Sequence, residues 1–355
     1  MKVLLYSELH PVWMVSLARG LSKYVQVILV VPNDKLTSDQ IKYMPEKVIL
    51  ESFPLSRASS FINLLNFKYF YEIVKKHNPD IIHFNEDPNP FLNILSKYFL
   101  KIKKCVTIHD VNIGHGQTTP FHKLNRELTL SHIEKIVVLG KNTKSLLKRR
   151  DLSDKRIYQI YHGNMNYYTN FIDKECIQDK NTVIFFGRLL KYKGLKYLLK
   201  AEPIISSQVP NFKIIIVVHG EPFDNYNKYV SNRDNLEIIE KYVSDNELYK
   251  FFLRSKITIL PYIEASQSGP MLMSFAFSIP VISSNVGNLP QYVNQSKAGL
   301  LVNSKNPEEL AKAIISILNN NKIRKRMSFR AKEYSDNYLS WKRIAKDLLK
   351  IYNIK

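Results

Sequence analysis

Short apolar runs recur along this chain. Most are closed by a glycine, proline, histidine or asparagine turn, and segments of helical spacing lie between many of them. Residues 3–6, 25–31, 81–84, 105–108, 136–139 and 157–161 are such runs in the first half; 183–186, 213–218, 236–239, 257–260, 280–282 and 299–302 are their counterparts in the second. The segments between them carry apolar residues at helical spacing, as Val12, Val15, Leu17, Ala18 and Leu21 do within 10–21. Helices are likewise expected over 61–77, 91–104, 141–150, 195–206, 247–254, 307–318, 323–334 and 341–352. Strands that alternate with helices are parallel and covered on both faces, which makes the fold α/β. The grammar restarts near residue 183, after a polar stretch at 164–181 that reads as a linker. A chain of 355 residues suits two domains. The boundaries read as 1–165 and 166–337, with a terminal helix at 338–355 folding back on the first domain.

Cys105 and Cys176 make no disulfide framework or metal-ligand spacing, which favours a reducing compartment. No apolar run approaches the ~20 residues that span a bilayer. Glu8, His10 and Arg19 interrupt the N-terminal segment, which therefore reads as strand and helix rather than a signal peptide. The formal charge of +21, spread over both halves, attracts anionic lipid, polyanions or phosphate-bearing substrates, or is only a lysine-rich surface. No nucleic-acid-binding motif accompanies it. GxGxxG, GxxxxGK[ST] and GxSxG are absent, which removes the dinucleotide fingerprint, the P-loop and the nucleophile elbow.

Three stretches carry candidate chemistry. In 258–293, Pro270 suits the first position of a helix capped by Ser268 and Gly269, and a helix N-terminus beside a strand's carboxyl end is an anion site. An ordinary strand–loop–helix unit without a ligand fits the spacing equally. In 187–194, Arg188 and Lys193 follow a strand and precede a helix, where two cations suit a diphosphate; a solvated basic loop is the alternative. In the first half, the strand at 105–108 runs into His109 and Asp110, a position for acid–base chemistry or substrate contact. The helix expected at 91–104 carries Lys97, Lys101, Lys103 and Lys104 at or near its end, as a membrane-surface helix or an ordinary cation-capped one would.

These motifs together resemble family 4 glycosyltransferases. The likeness rests on Phe186-Gly187-Arg188 with Lys193-Gly194, on Leu260-Pro261-Tyr262 with Glu264 through Gly269, and on Ala276-Phe277 with Pro280-Val281-Ile282. Gly287-Asn288-Leu289-Pro290, Gly299-Leu300-Leu301-Val302 and the Trp341 helix extend it. It implies a GT-B fold, two Rossmann-like doubly wound parallel-sheet domains facing a central cleft. It further implies a metal-independent, retaining transferase using a UDP- or GDP-linked sugar, with no other cofactor. Catalytic roles fall on His109, Glu264, Arg188 and Lys193. Donor contacts fall on Arg188, Lys193, Gly220, Tyr242, Val243, Glu264, Ser268, Gly269, Pro270, Met271 and Met273, and acceptor-side contacts on His10, Asp110 and His162. The implied acceptor is a saccharide, lipid-linked, in surface-polysaccharide assembly, with a cytoplasmic protein peripheral on the inner face of the plasma membrane. Two departures stand out. Met273 occupies the position of the family's second glutamate, which binds the donor ribose, and Ser7 through Pro11 lacks the glycines usual after the first strand. The alternative is a non-catalytic GT-B protein that binds a glycan or a partner glycosyltransferase.

Overall fold

The computed structural model describes residues 1–54, 63–98, 101–109, 120–148, 156–173, 179 and 181–353. They form two compact units, one of Met1–Gly163 with Leu339–Lys355 and one of Asn164–Tyr338.

The first unit runs β1 (Lys2–Tyr6), α1 (Pro11–Leu21), β2 (Gln26–Pro32), α2 (Ser38–Tyr43), β3 (Ile49–Phe53), α3 (Asn63–His77), β4 (Ile81–Asn85), α4 (Pro90–Tyr98), β5 (Lys103–Ile108), α5 (Pro120–His132), β6 (Lys135–Val138), α6 (Lys141–Lys148) and β7 (Ile157–Gln159). Its sheet is ordered β3-β2-β1-β4-β5-β6-β7, every pair parallel. The order reverses between β1 and β4, and such a switch point leaves a crevice at the carboxyl ends of the strands.

The second unit runs β8 (Thr182–Leu189), α7 (Leu195–Ser206), β9 (Lys213–Gly220), β10 (Leu236–Glu240), α8 (Leu248–Arg254), β11 (Ile257–Leu260), α9 (Gly269–Ala276), β12 (Val281–Ser284), α10 (Leu289–Ser296), β13 (Gly299–Val302), α11 (Pro307–Leu318) and α12 (Asn321–Glu333). Its parallel sheet is ordered β10-β9-β8-β11-β12-β13, with the switch between β8 and β11. Ile214 through Val218 of β9 are all buried, and each such side chain contributes roughly 1.5–3 kcal/mol. On one face α11 packs on α7. Asn306 caps α11 by accepting the Glu309 N–H at 3.0 Å, and Glu308 and Glu309 complement its dipole.

The terminal helix α13 (Trp341–Asn353) belongs to the first unit and packs on α1. Trp341, Ile344, Ala345, Leu348 and Ile351 form its buried stripe. Its last turn is pinned by buried polar groups. The Lys135 ammonium donates to the Ile351 carbonyl at 2.6 Å and the Tyr352 carbonyl at 3.2 Å, and His83 bonds the Tyr352 hydroxyl.

Several expectations need correction. Of the helix expected over 91–104, the described residues carry helix over Pro90–Tyr98, and Lys103 and Lys104 open β5 instead. Lys104 is buried, with its backbone N–H donated to Glu134 at 2.9 Å, so these lysines line a strand rather than a helix surface. Residues 164–181 are not a plain linker. Asn166–Phe171 forms a 3-10 helix that packs on α8 and α9, with Tyr167 buried. The strand expected to stop at 186 continues through Arg188 to Leu189, because β9 pairs with it residue by residue up to Gly220. The elements α2, β3 and α5 were not expected from the sequence.

Candidate functional site

In the second unit, the switch point brings the end of β8 beside the end of β11. Arg188 is exposed and, among the described residues, makes no ion pair. Its stem runs beside Gly220, where an added Cβ would lie 3.2 Å from the Arg188 Cγ. After β8 the chain makes one 3-10 turn, Lys191–Lys193, and passes through Gly194 at φ 71° into α7. Only glycine fits there, since a Cβ at Gly194 would sit 1.9 Å from the Pro261 carbonyl oxygen. This close pass brings the Ile263 N–H to the Tyr192 carbonyl at 2.7 Å. It also sets the Lys193 ammonium 3.0 Å from the Tyr262 hydroxyl, over the Tyr262 ring at 4.1 Å. Burial works against the Lys193 charge, but Tyr262 and Tyr192 outweigh it and hold its pKa above the ordinary lysine value.

The Tyr262 hydroxyl continues to the Ser268 Oγ at 3.3 Å. Ser268 caps α9 by accepting the Met271 N–H at 3.3 Å, and Pro270 stands second in the helix, after Gly269. A Cβ on Gly269 would meet nothing within 4 Å, so the space over the first turn is open. Glu264 lies on the connecting loop and is exposed. That loop is fixed from its other side. Gly287, at φ 58°, passes so close that a Cβ would fall 1.5 Å from the Ala265 carbonyl oxygen, and the Asn288 amide donates to the Ser266 carbonyl at 2.9 Å.

Tyr242 follows β10 and is 73% exposed, with its ring 5.8 Å from that of His219; Val243 is buried. Met273, one turn into α9, is 4% exposed and belongs to the same apolar cluster as Val243. Arg188, Lys193, Ser268 and the N–H groups at the start of α9 thus gather at the β8–β11 switch, an arrangement that can hold a diphosphate.

In the first unit, β1, β4 and β5 are neighbours, and the residues just past their ends converge. His10 caps α1 in the left-handed region at φ 57°, and its ring stacks on His109 at 4.6 Å. Glu86 is also left-handed, at φ 69°. Its carboxylate accepts the His109 N–H at 2.6 Å and the Arg126 guanidinium at 3.0 Å; Arg126, 3% exposed, also reaches Asp87. The His109 Nε2 lies 2.7 Å from the Asn85 Oδ1, while the Asn85 amide nitrogen donates to the Ser7 Oγ at 3.1 Å. Asn85 therefore presents its oxygen, His109 carries its proton on Nε2, and Nδ1 keeps its lone pair. His162 meets His109 edge-on at 5.7 Å. Burial, then the neighbouring His10 and His162, hold the His109 pKa well below its ordinary value, and burial lowers that of His10. His162 is pulled down to about 4 by burial, against a bond to the Gly163 carbonyl that raises it.

Ligand atoms of His10, Glu86 and His109 all lie within 4.8 Å of one another, a donor set that divalent metals use. The Glu86 oxygens already accept from His109 and Arg126, whose cation opposes a metal at that carboxylate. Asp110 lies outside the described residues. The sequence pointed to His10, His109 and His162. It did not assign roles to Asn85, Glu86 and Arg126, or to Tyr262; a polar, acidic loop directly after a strand was the available signal for the first two.

Two parallel, doubly wound α/β units define the GT-B class of fold. Residues 12–163 match the model of Glycosyltransferase Family 4, and residues 169–334 match that of Glycosyl transferases group 1. The chain belongs to this glycosyltransferase family and is a transferase. It is 25% identical over 315 residues to the uncharacterised glycosyltransferase MJ1178 of Methanocaldococcus jannaschii, covering 86% of this chain and 85% of that one. It resembles the crystal structure of a glycosyltransferase from Rickettsia africae ESF-5 at TM-score 0.75 and 19% identity, covering 99% and 97%. It also resembles Anabaena HepE in complex with UDP-glucose at TM-score 0.72 and 12% identity, covering 99% of both chains. Identities this low carry the fold alone. No helix among the described residues is long and apolar enough to cross a membrane.

Proposed function

We propose that this protein transfers a sugar, with retention and without a metal, from a UDP- or GDP-linked donor to a saccharide acceptor. The observation that carries the reading is the gathering of Arg188, Lys193 and the capped N-terminus of α9 at one switch point. There they hold the diphosphate and offset the charge that grows on it as the glycosidic bond breaks. Glu264 contacts the donor sugar, Gly220 lets the Arg188 stem approach, and Tyr242 and Val243 lie against the base. His109 contacts the reacting sugar through its unprotonated Nδ1, and His10, His162 and Asp110 serve the acceptor. The UDP-glucose complex of HepE supports a nucleotide-sugar donor.

The acceptor is lipid-linked and belongs to surface-polysaccharide assembly, with the enzyme peripheral on the inner face of the plasma membrane. Exposed Tyr69 on α3, Ile94 and Tyr98 on α4 and Leu124 on α5, beside exposed Lys68, Lys75, Lys97 and Lys123, support an anionic membrane surface, since α4 contacts both α3 and α5. A thermal-shift panel of nucleotide sugars, followed by release of the nucleoside diphosphate when acceptor is added, tests the reading. Unchanged turnover in Arg188→Ala would remove the diphosphate assignment. Met273, which offers no acceptor for a ribose hydroxyl, favours a second reading: a non-catalytic protein that binds a glycan or a partner enzyme. Calorimetry in which no nucleotide sugar binds would select it.

A further inference from the structure

Alternation along two neighbouring strands puts a histidine beside Arg188. In β8, Val183, Phe185 and Leu189 belong to the cluster with α7 and α11, whereas Ile184 and Phe186 join the one that holds Met273 and Phe277. In β9, Ile214, Ile216 and Val218 share the first cluster, and Ile215 and Val217 the second. Side chains two apart point the same way, so Arg188 and His219 continue the rows on the α9 face. They are register partners in a parallel pair, and such strands run ~4.8 Å apart. Both residues are exposed at the strands' carboxyl ends.

The start of α9 reaches the same place: a Cβ on Gly187, the residue before Arg188, would lie 3.7 Å from the Pro270 Cγ. The Arg188 charge works against that of Lys193, and among the described residues neither pairs with a carboxylate. An anion there would relieve both. The His219 ring meets the Tyr242 ring edge-on at 5.8 Å and, among the described residues, hydrogen-bonds through neither nitrogen. Imidazole offers an N–H donor in either charge state.

We propose that His219 is a further binding residue of the anion site, donating from a ring N–H to the phosphate that Arg188 holds. This rests on the donor-site reading above and deepens it. Lys193 and Ser268 approach Arg188 from the β11 side of β8, and His219 stands on the β9 side, so the phosphate is gripped from both flanks.

The test is titration calorimetry of UDP, GDP and ADP on the intact chain, with competition by inorganic pyrophosphate, which carries neither base nor sugar. His219→Ala is expected to weaken the nucleoside diphosphate that binds, and pyrophosphate with it, by about tenfold, as loss of a hydrogen bond to a charged group does. His219→Gln keeps an N–H donor and should retain most of the affinity. His219→Phe keeps the ring against Tyr242 without a donor and should lose as much as alanine. Wild-type affinity in His219→Phe would mean that the ring only orients Tyr242, and a loss absent with pyrophosphate would put the contact off the phosphates; either overturns the proposal. If Arg188→Ala loses binding while His219→Ala does not, this inference falls and the donor site stands. If the wild type binds neither nucleoside diphosphate nor pyrophosphate, the donor-site reading itself falls, and this inference with it.

Discussion

The Lys193 ammonium and the Tyr262 hydroxyl stand 3.0 Å apart, and the same hydroxyl lies 3.3 Å from the Ser268 cap of α9. One phenol thus connects the half-buried cation to the helix terminus, the two groups assigned to the diphosphate. In Tyr262→Phe the ring under Lys193 remains, but both polar links are lost. Each neutral hydrogen bond contributes about 1 kcal/mol, and one to a charged group about 1.5–3. Nucleoside diphosphate affinity is expected to fall about tenfold, with a circular dichroism spectrum like the wild type's. Titration calorimetry reads the first and the spectrum the second; unchanged affinity would mean that Lys193 is positioned without its tyrosine.

Gly194 and Gly269 flank the same site and should respond in opposite ways. Gly194 is left-handed and would drive a Cβ to 1.9 Å from the Pro261 carbonyl, so Gly194→Ala must shift backbone. A loss of about 3 kcal/mol or more is expected in urea unfolding. Gly269 has open space at its Cβ and begins a helix. Gly269→Ala should keep the wild-type midpoint within about 0.5 kcal/mol, yet weaken donor binding if phosphate rests on that turn. An alanine at 269 that leaves both properties unchanged would move the phosphates elsewhere.

Much of this fold was legible because the signals were local. The run at 213–218 is β-branched from Ile214 onward, and Pro307 with Asn306 announces a helix start. The region at 33–54 mixes charged, proline and apolar residues without clean periodicity, so α2 and β3 left little trace; β3 alternates half-buried and exposed positions until Phe53. Lys101 through Lys104 continued the helical pattern of α4, and only pairing with β4 shows that β5 has begun. The residues proposed for the donor stood out because they lie on short motifs. His10, Glu86 and His109 are far apart in sequence and meet only because the strand order places β1, β4 and β5 side by side. The left-handed backbone at Glu86, which turns its carboxylate to Arg126 and His109, follows from that packing and from no rule for glutamate.

The buried histidines of the first unit make its stability depend on pH. Burial holds His83 down to about 3 and His162 to about 4, against an ordinary 6.5 that both recover on unfolding. Between pH 6.5 and about 4 the unfolded chain therefore binds more protons than the folded one. Stability is complete above pH 6.5 and is lost as pH falls toward the folded values. At 1.36 kcal/mol per unit, His162 alone contributes on the order of 3 kcal/mol to this loss. Urea midpoints measured at pH 7.5, 6 and 5 should fall in that order, and His162→Gln should flatten the decline.

Trp341 is the test of how the C-terminal helix holds to the first unit. Its indole fills the space over Gly163, where a Cβ would come within 2.4 Å of the ring, and its carbonyl lies 2.6 Å from the place a Cβ on Gly20 would take. Trp13 meets it edge-on at 5.5 Å. Glycine at 20 and 163 lets α1 and the end of the first unit close on a side chain that is 8% exposed. Trp341→Ala would leave a cavity that neither glycine can fill, at a cost of roughly 3–5 kcal/mol. Gly163→Ala is expected to destabilise as well, by collision rather than by emptiness. In the double variant the new methyl would enter the space the indole vacates, so the two losses should sum to more than the double variant shows. Chemical denaturation of the four proteins measures the coupling; strict additivity would mean that the ring and the glycine do not share that space.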